Sequence, residues 1–319
     1  MNMAHCNTDV VSTQGDAERV IRSLLSQPRY THQSPLVIGC GALNVDYLFR
    51  VRRLVTDGET EITEMRREAG GSAANTIYAL AKWGIPCAFI GCIGNDDDGQ
   101  LMLQSFERVG VDTHWLSIQH DHHTGRVMGF VDTCGHRALY VLPGANLALS
   151  AAELPNELPQ CTRWVHCTSL VGESQMHAQR EWMIALPERI HVSFAPGAIY
   201  VEKGLDTLRP FIERATVLFV TRDELTELTN ISDLSTACIA LHSIGVPLIA
   251  ITAGGEGSYI SFRKHPKCTA PIAMPTDADE HTLHHESAIA VTVRDTTGAG
   301  DAFAAGMLLG LLHRLPLNA

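Results

Sequence analysis

Residues 295–303 read DTTGAGDAF, and an apolar run, AAGMLLGLL, follows directly. That run predicts a largely buried helix carrying Ala302, Phe303, Gly306, Met307, Leu309 and Leu311. The loop before it holds two glycines, which cost backbone entropy and so call for a reason. Amide N–H groups at a helix start, with the positive end of the helix dipole behind them, attract an anion. Gly298 and Gly300 carry no Cβ to hold an oxyanion away. A carboxylate at Asp301 would repel a phosphate, unless its task is to take the proton from a hydroxyl attacking that phosphate. The same residues also read as a tight turn with Asp301 as a helix cap, so the rest of the chain must decide.

The elements that would position such a loop begin at residue 36, where apolar runs start to alternate with helical segments. LVIGCGAL, PCAFIGCIG, RWVHCTSL, IHVSFAPG, TVLFVT and PLIAITAGG read as strands, with helices such as GSAANTIYALAKWG and DGQLMLQSFERVG between them. This alternation predicts an α/β fold: a doubly wound, mostly parallel sheet with helices on both faces. Two stretches, about 46–69 and 124–143, alternate with period two around turns at Asp57-Gly58 and Cys134-Gly135. They predict a small antiparallel β lid over a ligand. Residues 1–35 form an N-terminal extension. Within it, DAERVIRSLLSQ sets Val20, Ile21, Leu24 and Leu25 at helical spacing behind an Asp16 cap, a short amphipathic helix expected to dock on the domain formed by 36–319. Residues 263–288, polar and rich in Pro and His, read as a long surface loop.

Ligands of a parallel α/β sheet gather at the carboxyl ends of its strands. There the sequence places Asn44 and Asp46, then Gly70, Gly71 and Asn75 in AGGSAANT, then Thr221 and Glu224 in TRDE. Thr252, Gly254 and Gly257 of ITAGGEG follow, and Gly298, Ala299, Gly300 and Asp301 come last. Asn and Asp beside exposed glycine amides suit a ligand bearing several hydroxyls. Glu224 on a helix start suits Mg2+, directly or through water, because hard cations prefer oxygen. Each group alone reads as a turn, a cap or a solvated first turn; their succession at strand ends favours one shared site.

GCGALNVD, AGGSAANT and DTTGAGDAF, in that order and with TRDELTEL and ITAGGEGS between the last two, resemble the ribokinase/PfkB family of carbohydrate kinases over roughly residues 36–312. The resemblance implies an ATP-dependent kinase that moves the γ-phosphate to a primary hydroxyl of a sugar or nucleoside. It makes Asp301 the catalytic base and gives the amides of Gly298, Ala299 and Gly300 the transferring phosphoryl charge. Asn44, Asp46, Gly70, Gly71 and Asn75 would bind the acceptor, and Thr221, Thr252, Gly254 and Gly257 the nucleotide. Glu224 matches the acid associated with Mg2+, and Asp295 and Thr297 match positions that hold a monovalent cation, K+, in many members. The chain departs from the family at Thr221, where an Asn is usual, at Ser72, where ribokinase has a lysine, and at Ala195. It also stops short of the C-terminal segment that usually follows. Two alternatives stay open: a non-catalytic ligand binder, and a phosphofructokinase-like enzyme using Arg126 and Arg137 for a phosphorylated acceptor.

Composition excludes other classes. The 319 residues are 45% hydrophobic and 18% charged, with a formal net charge of −11 and no long basic cluster. Nucleic acid and anionic membranes are therefore not expected partners. Nine scattered cysteines without a C-x-x-C pair, no apolar stretch of membrane-spanning length and no signal-peptide pattern lead to the expectation of a cytoplasmic protein. The histidine runs His120/His122/His123 and His281/His284/His285 read as solvated loop residues rather than metal ligands. Apolar lid positions Leu48, Val51, Leu139 and Val141 suggest a homodimer through the lid.

Overall fold

The computed structural model describes residues 35–134, 136–263, 281–292 and 296–315. The 16–27 helix expectation and Asp295 lie outside them. Val37–Cys40, β1, is buried at every position, as a strand covered on both faces must be. In chain order the further strands are β2 (Asn44–Val51), β3 (Ile62–Gly70), β4 (Cys87–Gly94), β5 (Leu116–Gln119), β6 (Gly125–Val131), β7 (Arg137–Leu142), β8 (Trp164–Thr168), β9 (His191–Ala195), β10 (Val217–Thr221), β11 (Leu248–Thr252), β12 (Ser258–Phe262) and β13 (Thr282–Glu286). The helices are α1 (Ser72–Lys82), α2 (Asp97–Val109), α3 (Glu173–Ala185), α4 (Gly197–Val201), α5 (Leu205–Arg214), α6 (Arg222–Thr229), α7 (Leu234–Ile244) and α8 (Ala299–Leu312).

The large sheet runs β13-β12-β11-β10-β9-β8-β1-β4-β5. It is parallel from β11 to β5 and antiparallel only where β12 and β13 extend one edge. The chain builds outward from β1 through β4 and β5, then returns to the other side of β1 with β8. This reversal is the switch point at which open α/β sheets bind ligands. Ile77 and Leu80 of α1, Phe106 of α2 and Leu308 of α8 pack on one face. Met183 of α3, Leu208 of α5, Leu225 of α6 and Leu241 of α7 pack on the other. Helices cover both faces, so the doubly wound expectation holds.

The second sheet, β3-β2-β6-β7, is the lid. Two antiparallel hairpins are joined by a parallel pairing of β2 with β6. Leu48 and Val51 thus belong to an inner strand, and Val51 is buried. The free apolar edge is β7, where Leu139 and Val141 are exposed. The surface loop expected at 263–288 is corrected in its described part: Thr282–Glu286 pairs antiparallel with β12, because Leu283 and His285 alternate with neighbours in a period the polar composition obscured.

The lid's root is held by one carboxylate. Asp98, in the first turn of α2, has a side chain only 2% exposed. It accepts from Tyr47 Oη of β2 at 2.9 Å, Arg67 Nε of β3 at 2.8 Å and Arg126 Nε of β6. These bonds hold Asp98 below the usual carboxylate range against the opposing effect of burial. Replacing Asp98 by Ala leaves Arg67 and Tyr47 without this acceptor, and Arg126 with only Asp96 at 3.5 Å. The expected cost is about 2–4 kcal/mol, below or within the range for broken buried pairs because the arginines are a third exposed. Urea unfolding of the variant measures it.

Candidate active site

The site is assembled where two helices open toward one another. Gly71 precedes α1 with φ +106°, and a Cβ there would stand 2.3 Å from the Ala42 carbonyl oxygen, so only glycine serves. Gly298 precedes α8 with φ +74°, again a left-handed residue. Neither helix mouth has a side-chain cap. The first-turn amides of a helix have no intrahelical acceptor, so both mouths present N–H groups and a positive dipole end, although at the α8 mouth the Ala299 amide donates to the Thr296 carbonyl at 3.1 Å. A Cβ on Gly300 would meet nothing within 4 Å, so the approach to the α8 mouth is open.

Asp301 joins the two mouths. Its Oδ1 accepts from Ser72 Oγ at 2.6 Å and its Oδ2 from Asn75 Nδ2 at 2.8 Å. Thr76 Oγ1 donates to the Asp301 carbonyl at 3.2 Å. Burial raises the Asp301 carboxyl above its ordinary value, and the bonds from Ser72 and Asn75 oppose that rise. The cap reading of Asp301 is not what the geometry gives: its carboxylate is bound by another helix rather than by its own first-turn amides.

Asp46 lies over Gly70, so close that a Cβ on Gly70 would stand 2.5 Å from its Oδ2. It faces Glu68 across the β2–β3 pair. Burial, then the charges of Glu68 and Asp301, push Asp46 up to about 6. Asn44 pairs in register with Gly70 on one side and Gly125 on the other. Its Oδ1 accepts from Asn146 Nδ2 at 3.0 Å. Glu68, Gly70 and Asn75 also line a cleft of about 370 Å³ between β3, α1 and α2. A larger cavity of about 700 Å³ lies elsewhere, along α3, and shares no residue with this constellation.

The remaining expected residues form a second group at the ends of β10 and β11. Thr221 pairs with Thr252 across the parallel strands. Thr221 and Glu224 cap α6 reciprocally: Thr221 Oγ1 accepts from the Glu224 amide at 3.1 Å, and Glu224 Oε2 from the Thr221 amide at 2.8 Å. A carboxylate has further lone pairs beyond that one bond, so the donor chemistry suits a hydrated hard cation. Gly254 and Gly257 shape the turn after β11. Phe219 of β10 meets Phe303 of α8 edge-on, 6.3 Å between centroids, and links this group to the Asp301 helix. Thr297 sits in the loop before α8, while Asp295 is outside the described residues.

Sequence reasoning left out several participants. Ser72 was singled out only as a departure from a family pattern, yet it is a partner of Asp301. Asn146 is buried and satisfied on both ends, accepting from the Leu43 amide and donating to the Leu43, Pro143 and Asn44 oxygens. Its signal was the GAN that follows the lid. Arg222 reaches Glu256 Oε2 at 2.7 Å and Tyr259 Oη at 3.0 Å, and Tyr259 stacks on His285 with centroids 4.4 Å apart.

The arginines considered for an acceptor phosphate do not meet there: Arg126 is bound to Asp98, and Arg137 lies exposed on β7. Among the described residues neither histidine run forms a metal-binding group. His285, read as a solvated loop residue, is a strand residue whose Nε2 contacts the Glu256 carbonyl at 2.9 Å, and His281 Nε2 meets Ser261 Oγ. A grouping of Asp132, Cys134 and His136 does occur at the β6–β7 turn. There Asp132 Oδ1 already accepts the Cys134 and His136 amides, so the carboxylate serves the turn.

Residues 35–319 match the model of the pfkB family carbohydrate kinases. Among curated relatives, an uncharacterized sugar kinase of Archaeoglobus fulgidus is 31% identical over 233 residues, 73% of this chain and 86% of that protein. An ATP-dependent ribose-1-phosphate kinase of Halopiger xanaduensis is 29% identical over 85% of this chain and 83% of its own length. Among solved structures, Arabidopsis thaliana ribokinase complexed with ribose and ATP superposes with a TM-score of 0.71 at 21% identity, covering 90% of this chain and 88% of that one. Burkholderia thailandensis nucleoside kinase with inosine gives 0.69 at 24% identity, covering 88% and 86%. These superpositions establish the fold.

The crowding of acids is open to direct test. Followed by carboxyl NMR, Asp46 is expected to titrate near pH 6, and Glu68→Gln is expected to lower that value by removing a facing charge. The folded Asp46 holds its proton to higher pH than the ordinary value of 3.8. Its contribution to stability is therefore full below that value and lost as pH rises through about 6.

Proposed function

The chain belongs to the pfkB family of carbohydrate kinases, and on that premise we propose that it transfers the γ-phosphate of ATP to a primary hydroxyl of an unphosphorylated sugar or nucleoside. The observation that carries the reading is Asp301, half-buried, fixed by Ser72 and Asn75, and set at the uncapped mouth of α8. A carboxylate so held keeps one direction for its remaining lone pairs, as a general base requires. It takes the proton of the acceptor hydroxyl while that oxygen attacks phosphorus. The charge developing on the phosphoryl oxygens falls to the amides of Gly298 and Gly300, and to that of Ala299 once it leaves the Thr296 carbonyl, a contribution generally of several kcal/mol.

Asn44, Asp46 and Asn75 bind the other hydroxyls, with Gly70 and Gly71 allowing close approach. Asp46 as an anion accepts from paired hydroxyls; protonated, one of its oxygens becomes a donor and the paired acceptance is lost. Thr221, Glu224, Thr252, Gly254 and Gly257 take the nucleotide end. Mg2+ would be held by Glu224 through water together with the nucleotide phosphates, and it supplies charge neutralisation there. Thr297 would contribute to a K+ site.

The acceptor is taken as unphosphorylated because Asp46, Glu68 and Asp301 give its end of the site a negative character, and Arg126 is committed to Asp98. A second phosphate would meet these carboxylates; of the arginines on the cleft beside them, Arg67 is bound to Asp98 and Arg108 lies at the C-terminal end of α2. A sugar and a nucleoside share the primary hydroxyl and ring hydroxyls this site addresses.

ADP release from Mg·ATP across sugars, nucleosides and sugar phosphates tests the reading. Turnover is expected on an unphosphorylated compound and to fall about 10²–10⁴-fold in Asp301→Asn, with acceptor binding retained. The kcat/KM for the acceptor is expected to fall as pH drops through about 6, where Asp46 gains its proton. Preference for a sugar phosphate, or full turnover in Asp301→Asn, would overturn it.

A further inference from the structure

The cavity of about 700 Å³ belongs to no part of the reaction described above. It is a groove along α3, floored by Ala178, Trp182 and Ala185, which recur at helical spacing, and walled by Leu149, Leu154 and Leu158 from the segment after the lid. Trp182 lies nearly buried, with its indole N–H bonded to the Pro155 carbonyl, so the floor is rigid and apolar. Exposed grooves of this size, apolar with charged rims, are where a partner segment packs.

The chain itself supplies a candidate occupant. Pro35, the first described residue, is tied down by Thr162 Oγ1, which donates to its carbonyl at 2.9 Å. Arg189, on the groove's lining, donates to the Leu158, Gln160 and Thr162 carbonyls beside it. Residues 1–34 therefore join the domain at one end of this groove. Val20, Ile21, Leu24 and Leu25 form one helical face, flanked by Arg19 and Arg22. Glu157 stands on the groove's lining, of opposite sign, while Glu181 there is already paired with Arg180 at 3.0 Å. A helix over 16–27 would be about 18 Å long, close to the roughly 20 Å of α3. The intervening residues 28–34 can span up to about 25 Å, enough to lay that helix beside α3.

We propose that the amphipathic segment Asp16–Gln27 docks as a helix in the α3 groove of its own chain, with Val20, Ile21, Leu24 and Leu25 on the Ala178–Trp182–Ala185 floor. The groove's upper end adjoins the turn that carries Asn146: Gln175, on its lining, donates to the Leu147 carbonyl. Docking thus braces the element that holds Asn44.

Hydrogen exchange on the full chain tests this. Amides of residues 19–26 are expected to exchange at least about tenfold more slowly than an unstructured chain. Two variants should both abolish that protection: Ala178→Glu in the groove, and Leu24→Glu/Leu25→Glu in the segment, which leaves the groove's own residues untouched. In the second variant residues 149–160 should also exchange faster. Unstructured exchange of 19–26 in the wild type overturns the proposal, as does protection that survives Ala178→Glu in a folded protein. Protection that grows with protein concentration alongside a dimeric mass in light scattering overturns docking within one chain in favour of a second copy.

Discussion

A carboxylate shared between the mouths of two helices organises this protein. Asp301 belongs to α8, and its donors Ser72 and Asn75 belong to α1. For both helices to open on one point they must lie side by side on one face of the sheet, with close backbones. Thr76 of α1 bonds the Asp301 carbonyl across that contact, and both helices carry small buried residues, Ala73 and Ala74 on α1 and Ala304 and Ala305 on α8. The sheet beneath supplies the rest. Its parallel strands end on one edge, so the turns after β1, β10 and β11 are delivered to the same side as the two helix mouths.

The same arrangement carries an electrostatic cost that folding alone does not explain. Asp46 and Glu68 stand opposite each other on adjacent antiparallel strands, where like charges destabilise. Asp301 adds a third acid, and burial raises the Asp46 carboxyl further. A site built for stability would place Asn or Thr here. Ligand hydroxyls can donate to these carboxylates and offset the mutual repulsion, so the local conflict is itself a mark of function.

Much of this was legible in the sequence because it depended on local chemistry. Buried strands such as Val37–Cys40 announce themselves as apolar runs, and glycine pairs before helices mark positions where a Cβ cannot go. Asn44, Asp46, Gly70, Asn75 and Asp301 lay at strand ends and were found there. What escaped depended on pairing between distant segments. Asp98 sits in a run of three aspartates, and nothing local separates the one that collects Tyr47, Arg67 and Arg126 from its solvated neighbours. Leu48 and Val51 looked like edge residues because a parallel β2–β6 pairing cannot be read from two hairpins. Thr282–Glu286 was hidden by its polar composition: an edge strand packed by His285 against Tyr259 has no need of aliphatic residues.

The lid's contribution to the site is one of register more than of cover. Asn44 and Asp46 are alternate residues of β2, with buried Val45 between them. A slip of one residue would turn Val45 into the site and drive both polar side chains toward the core. A flat, short strand does not resist such a slip by itself. Here β2 is fixed on both sides of the functional pair. Asn146 grips the backbone of Leu43 on both its N–H and its carbonyl, and Asp98 grips Tyr47. Both anchors are buried polar groups, and a displaced strand would leave each without its partner, at the desolvation cost of an orphaned group. The alternative register is therefore penalised twice, at positions one residue outside the pair on either side. That double penalty, rather than the lid's apolar contacts, explains how a half-exposed four-stranded sheet can deliver two side chains to a site whose catalytic carboxylate is carried by a helix more than 200 positions away in the chain.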